Sequence, residues 1–98
     1  MKIPKAPASL GKDGSMLWSA ILRNYAIDDP ASLAILRSMC ETADRLAACR
    51  ATIDAEGLVT AGSTGQPRAH PLLQIESESR RALLAHSRAL RLDLSEGY

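Results

Sequence analysis

The stretch Gly57-Leu-Val-Thr-Ala-Gly-Ser-Thr-Gly-Gln-Pro-Arg-Ala-His-Pro71 decides the fold of this chain. Helical apolar spacing runs up to it and resumes after it, and inside it that spacing stops. Gly57 can end the preceding helix in the left-handed conformation, and Pro71 can open the next one where no N–H is needed. Between them, Leu58-Val59-Thr60 favours extended backbone. With Gly62 and Gly65 supplying positive φ at a turn, it could fold back on Gln66-Pro67-Arg68-Ala69 as a short hairpin. The connector at about 58–69 is therefore either a hairpin or an extended joint. A two-stranded hairpin is marginal alone, so it is expected to pack on the helices or on a neighbouring subunit.

Outward from this joint the chain reads as mainly α, with three helices at about 12–26, 30–56 and 71–92. Residues 1–10, with Pro4, Pro7 and basic side chains but no period, read as a flexible basic arm, and 11–98 as one helical domain. In the first helix Met16, Leu17, Ile21, Leu22 and Tyr25 share a face flanked by Trp18. Gly11 at its cap and Gly14 in its first turn predict a frayed start. Asp28-Asp29-Pro30 opens the second helix, Asp29 as cap and Pro30 as first helical residue. This helix spans roughly 39 Å at 1.5 Å per residue. It carries two apolar stripes, Leu36/Met39/Ala43/Leu46/Ile53 and Leu33/Cys40/Ala47, so it is covered on more than one side. Glu41 and Arg45 are spaced to pair, and Arg50 either pairs with Asp54 or reaches a partner. In the third helix Leu72, Ile75, Leu83 and Leu90, with Ala82 and Ala89 beside them, mark the inner face. Glu76 and Arg80 are spaced to pair, and His86 reads as half-buried with a local hydrogen bond. Leu94 and Tyr98 in the final six residues could dock.

A chain of 98 residues makes one domain near the lower size for an independent core, and with no Phe and 3% aromatics it favours close helix packing. Such a core can need a partner subunit for completion. Net charge is +1, which excludes nothing about partners by itself. Its distribution is more telling: all three lysines (Lys2, Lys5, Lys12) lie in the first twelve residues, and five of nine arginines lie from Arg68 onward. Cys40 and Cys49 stand about half a turn out of phase on one helix and cannot bridge each other there. They read as buried reduced thiols. Neither a signal peptide nor a membrane-length apolar run is legible, so a cytoplasmic location without membrane contact is expected.

No catalytic constellation emerges. Gly62-Ser-Thr-Gly65 lacks the Lys-Ser/Thr of a P-loop. Ser63 with His70 or His86 has no nucleophile elbow and no positioned acid. No zinc spacing and no hydrolytic metal motif exists. The expectation is no enzyme, no cofactor and no metal. The arginine-rich last third points instead to phosphate contact, with Arg68, Arg80, Arg81, Arg88 and Arg91 as candidates and Lys2, Lys5 and Lys12 as auxiliaries.

A series of short motifs resembles one family. Leu10, then Leu17-Trp18, precede Tyr25-Ala-Ile-Asp-Asp-Pro30 and a long Ala/Leu/Arg helix. Glu56-Gly57-Leu-Val, the Gly65-Gln-Pro turn and His70-Pro71-Leu-Leu with Glu76 follow. Arg80-Arg81-Ala-Leu-Leu and Arg88-Ala-Leu-Arg-Leu-Asp93 close the series. Over residues 10–93 this is similar to the small subunit of phage terminases, whose joint reads G-L-V … G-Q-P … H-P. Gly11 and Gly14 depart from the usual capping and helix-forming residues, and no longer basic tail follows Asp93. The resemblance implies a non-catalytic packaging factor that forms a ring-like homo-oligomer. It further implies binding to double-stranded phage DNA and recruitment of the large ATPase/nuclease subunit. A small helical oligomeric adaptor that binds only protein is the alternative.

Overall fold

The computed structural model describes residues 3–92. Met1, Lys2 and the stretch from Asp93 to Tyr98, with the docking expected of Leu94 and Tyr98, lie outside the described residues. Helix α1 (Lys12–Asn24), helix α2 (Pro30–Glu56), strands β1 (Val59–Ala61) and β2 (Pro67–Ala69), and helix α3 (Leu72–Ala89) follow in order. The architecture is mainly α, with a hairpin between the second and third helices, as the connector's residues predict. α2 is the spine: α1 packs along it and α3 packs along it, while α1 and α3 barely meet. The molecule measures 58 × 25 × 24 Å.

The apolar spacing explains the core. Leu10, Leu17, Trp18, Ile21 and Leu22 meet Leu36, Met39 and Cys40 in one buried cluster, with Leu83, Leu90 and Leu92 packed against it. Leu36 and Cys40 are wholly enclosed. Cys49 and Ile53 continue the buried face of α2 past this cluster. A Leu enclosed like Leu36 contributes about 1.5–3 kcal/mol relative to exposure. Three expected core positions are corrected. Met16 is 61% exposed and Ile75 39%, and Ala89 is exposed. Ser79 and Ser87 fill the inner face of α3 instead, where two helices approach closely.

Asp29 caps α2 as its chemistry predicts, its carboxylate accepting from Ser32 N–H at 2.9 Å. The start of α1 is capped differently. Gly11 offers no side chain, yet Gly11 N–H and Gly14 N–H both donate to the Asp44 carboxylate at 2.7 Å. A residue on α2 thus caps α1, so the expected fraying is corrected by a contact 30 residues away in sequence. Ahead of α1, Leu10 is buried and Trp18 Nε1 donates to Pro4 O at 2.9 Å.

Gly57 has φ 87 and ψ 166, so it is not left-handed helical as expected. It occupies the glycine-only extended region while its N–H closes α2 on Ile53 O at 2.6 Å. In the hairpin Val59, Thr60 and Ala61 face Ala69, Arg68 and Pro67. Gly65 alone supplies the positive φ of the turn, at 87°. Gly62 does not; a Cβ there would crowd Arg68 Cδ at 3.2 Å. The hairpin does not pack on the helices, since Leu58 and Val59 are 63% and 60% exposed.

His70 ties the joint together. Its Nε2 lies 2.8 Å from Glu56 Oε1, and its Nδ1 accepts from Leu72 N–H at 3.0 Å. Its own N–H donates to Leu58 O at 2.9 Å. An Nδ1 that accepts leaves the proton on Nε2, donated to Glu56. The His70 ring thus satisfies the first free amide of α3, which begins at Leu72 with Pro71 at its cap position, one residue later than the first helical place expected of Pro71. At the other end Arg91 takes φ 57 and Leu92 N–H donates to Ser87 O at 2.9 Å, a closure that returns Leu92 to the core. α3 accordingly stops at Ala89, short of the end its spacing suggests.

Candidate nucleic-acid interface

α3 buries one side on α2 and leaves the other open. At 100° per residue Arg80, Leu84, Arg88 and Arg81 fall within an arc of about 100° on that open side. All three arginines are exposed, and Leu84 is 49% exposed among them. Arg80 Nη2 sits 3.4 Å from Glu76 Oε1, the pair the spacing predicts. Its guanidinium is more than half exposed, so this contact is weak and leaves donors free. Arg81 and Arg88 pair with no carboxylate among the described residues. The result is a short positive face rather than an internally neutralised one.

The remaining candidates are dispersed. Arg68 projects from β2 beyond the start of α3, exposed and without an ion pair among the described residues. Arg91 lies past the helix end on the closing turn, so it leaves the α3 ladder on which its spacing had put it. Lys5 and Lys12 are exposed beside α1, and Lys2 lies outside the described residues. The structure thus groups Arg80, Arg81 and Arg88 on one face, with Arg68 and Arg91 beyond its two ends.

Two expected pairs on α2 differ. Glu41 lies 3.6 Å from Arg37 rather than pairing with Arg45, because an acid has a neighbour one turn in each direction. Arg50 does not pair with Asp54. It stands with Asp13 at the rim of a groove floored by Leu17, Ala43, Leu46 and Leu83, with the exposed Met16 on its lip. The groove lies where the three helices diverge, lined from α2 by Ala43 and Leu46 of its first stripe and Ala47 of its second.

The polar chemistry of the interior is quiet. The Cys40 thiol is pushed up to about 12, by burial first and then by the carboxylates of Asp44 and Glu41. It stays protonated at neutral pH and makes a poor nucleophile. Both cysteines are free and buried. His86 is half-buried, and its enclosed Nδ1 has no hydrogen-bond partner, so the local bond expected for it is missing there. No cluster of three metal-ligating side chains occurs among the described residues, and none of the described helices is long and apolar enough to cross a membrane.

An elongated three-helix chain with a protruding hairpin, an open groove and an arginine face has the layout of an interaction protein. Comparison with known proteins gives it a family. Residues 17–96 match the family described as phage terminase, small subunit. The chain belongs to that family, which supports a role in phage DNA packaging. No curated protein and no solved structure gives a match.

Sequence reasoning missed Leu84, Asp44 and the groove. Leu84 carried a signal, standing four residues after Arg80 and four before Arg88. Asp44 carried none, because nothing in local spacing reveals a cap supplied by another helix.

Proposed function

We propose that this protein is a non-catalytic packaging factor of a phage or prophage, acting in the cytoplasm of the bacterial host. It assembles into a homo-oligomer, ring-like in form, binds double-stranded phage DNA, and recruits or regulates the terminase large subunit. Arg80, Arg81 and Arg88 contact phosphates from α3, joined by Arg68 and Arg91, with Lys2, Lys5 and Lys12 as auxiliaries on the basic arm and α1. The observation that carries this reading is the arginine face on α3 in a chain of the terminase small-subunit family. Phosphate neutralisation releases counterions, so such binding weakens steeply with salt. The apolar groove and the exposed Leu58 and Val59 supply surfaces for subunit contact.

A gel-shift series at rising salt tests the reading. Binding at low salt that fades as salt rises is the expected outcome. No binding by the assembled protein at low salt removes the arginine assignment.

The second reading is a helical oligomeric adaptor that binds only protein. It is favoured by the same groove and hairpin, which are apolar and carry few charges. Co-purification with the large subunit without any DNA binding would select it.

A further inference from the structure

Leu84 is the anomaly of the open α3 face. A surface made only to hold phosphates has no use for a large apolar side chain at its middle. Yet Leu84 stands half-exposed with Arg80 one turn before it, Arg88 one turn after and Arg81 beside them. Around the helix axis Arg80 lies about 40° to one side of Leu84, and Arg88 and Arg81 lie about 40° and 60° to the other. The major groove of duplex DNA is about 12 Å wide and admits a helix. With the helix lying along the groove, arginines on the two sides of this face can reach the opposite phosphate walls while the side chain between them meets the groove floor. The apolar group on that floor is the thymine 5-methyl, which attracts an apolar side chain as no other base does. The charge favours this occupant as well, because Arg81 and Arg88 meet no carboxylate among the described residues.

The geometry points to Leu84 as a base-reading residue: α3 enters the major groove of duplex DNA and Leu84 packs on a thymine methyl. This rests on the proposed DNA-binding role and adds to it a source of sequence preference. Arg80, Arg81 and Arg88 set the helix in the groove, and Leu84 selects the step beneath it.

Deoxyuridine differs from thymidine by that methyl alone, which makes the test chemical. Duplexes are selected by the protein from a randomised pool, then resynthesised with deoxyuridine in place of thymidine. The wild type should bind the deoxyuridine form about fourfold more weakly for each methyl withdrawn from water. Leu84→Ala should bind both forms equally while keeping wild-type helical circular dichroism, since the side chain is half in solvent. Equal binding of both forms by the wild type overturns the inference, and needs no variant. So does a Leu84→Ala protein that still discriminates, or one whose only loss is capture of the large subunit, which would make Leu84 a protein contact. If no duplex in the pool is bound at low salt, the DNA-binding role itself fails, an outcome distinct from binding without discrimination.

Discussion

The backbone N–H of Gly14 donates to the carboxylate of Asp44 at 2.7 Å, and the approach that permits it leaves no room for a side chain. A Cβ on Gly14 would overlap the Asp44 carboxylate and lie 2.7 Å from Cys40 O. Glycine in a helix ordinarily costs about 1 kcal/mol against alanine; here its absence of Cβ lets α1 rest on α2. Gly14→Ala should therefore destabilise the fold by about 1–3 kcal/mol, the cost of overpacking, despite alanine's better helix propensity. Asp44→Ala should free the Gly11 and Gly14 amides and raise hydrogen exchange across the first turn of α1. Thermal melts and amide exchange check both. A Gly14→Ala protein more stable than wild type would contradict the contact.

The cap of α2 makes stability depend on acid. Asp29's carboxyl lies below its ordinary value because it accepts hydrogen bonds from Ser32. A carboxyl with a lowered folded value adds stability that is complete above the unfolded aspartate range and fades as pH falls through the lowered value. Asp29→Ala should lower stability at neutral pH and lose part of the acid-side decline that the wild type shows. Urea midpoints measured across the acid range would reveal it as converging curves.

His70 holds the α2–hairpin–α3 joint through two ring contacts and one backbone bond. His70→Ala leaves the Leu72 N–H without its acceptor and frees Glu56. The expected loss is about 1 kcal/mol, the net worth of a hydrogen bond whose donor is only partly buried. It should appear as a lower urea midpoint with faster protease cleavage in the hairpin. Long-range nitrogen–proton NMR should place the wild-type ring proton on Nε2; a proton on Nδ1 would contradict the joint as described.

The groove between the helices is the surface proposed for assembly, and Met16 on its lip is 61% exposed. Met16→Glu should shift the protein towards monomer in light scattering while leaving its helical circular dichroism unchanged, because little of the side chain is buried in the subunit. Assembly that is indifferent to this change would move the interface elsewhere, with the Leu58–Val59 hairpin next in order.

Most of the fold was legible because its signals are local. Asp29-Pro30 marks a helix start, Gly57 ends the helix, and the apolar period of α2 runs between them, broken only where Arg50 takes the place of an apolar residue. The hairpin was legible as an option through Gly65 and the β-favouring Leu58-Val59-Thr60. What local patterns conceal is the meeting of distant segments. Gly14 reads as a defect until Asp44 comes against it, and Met16 reads as core until α3 leaves that side of α1 open. His70 announces itself only as a residue before proline, since its acceptors and donors come from three elements. The arginines were legible as a group but not as a face: the turn at Arg91 and the position of Arg68 on β2 separate them from Arg80, Arg81 and Arg88.

Everything proposed for this protein's work on DNA depends on the α3 arginines neutralising phosphates. The salt dependence of duplex binding, compared between wild type and Arg81→Ala/Arg88→Ala at matched oligomeric state, measures that neutralisation. The slope of log affinity against log salt should become shallower by about 2, near 0.9 for each phosphate left unneutralised, with helical content unchanged. Identical slopes for the two proteins, or no binding by either at low salt, would contradict it.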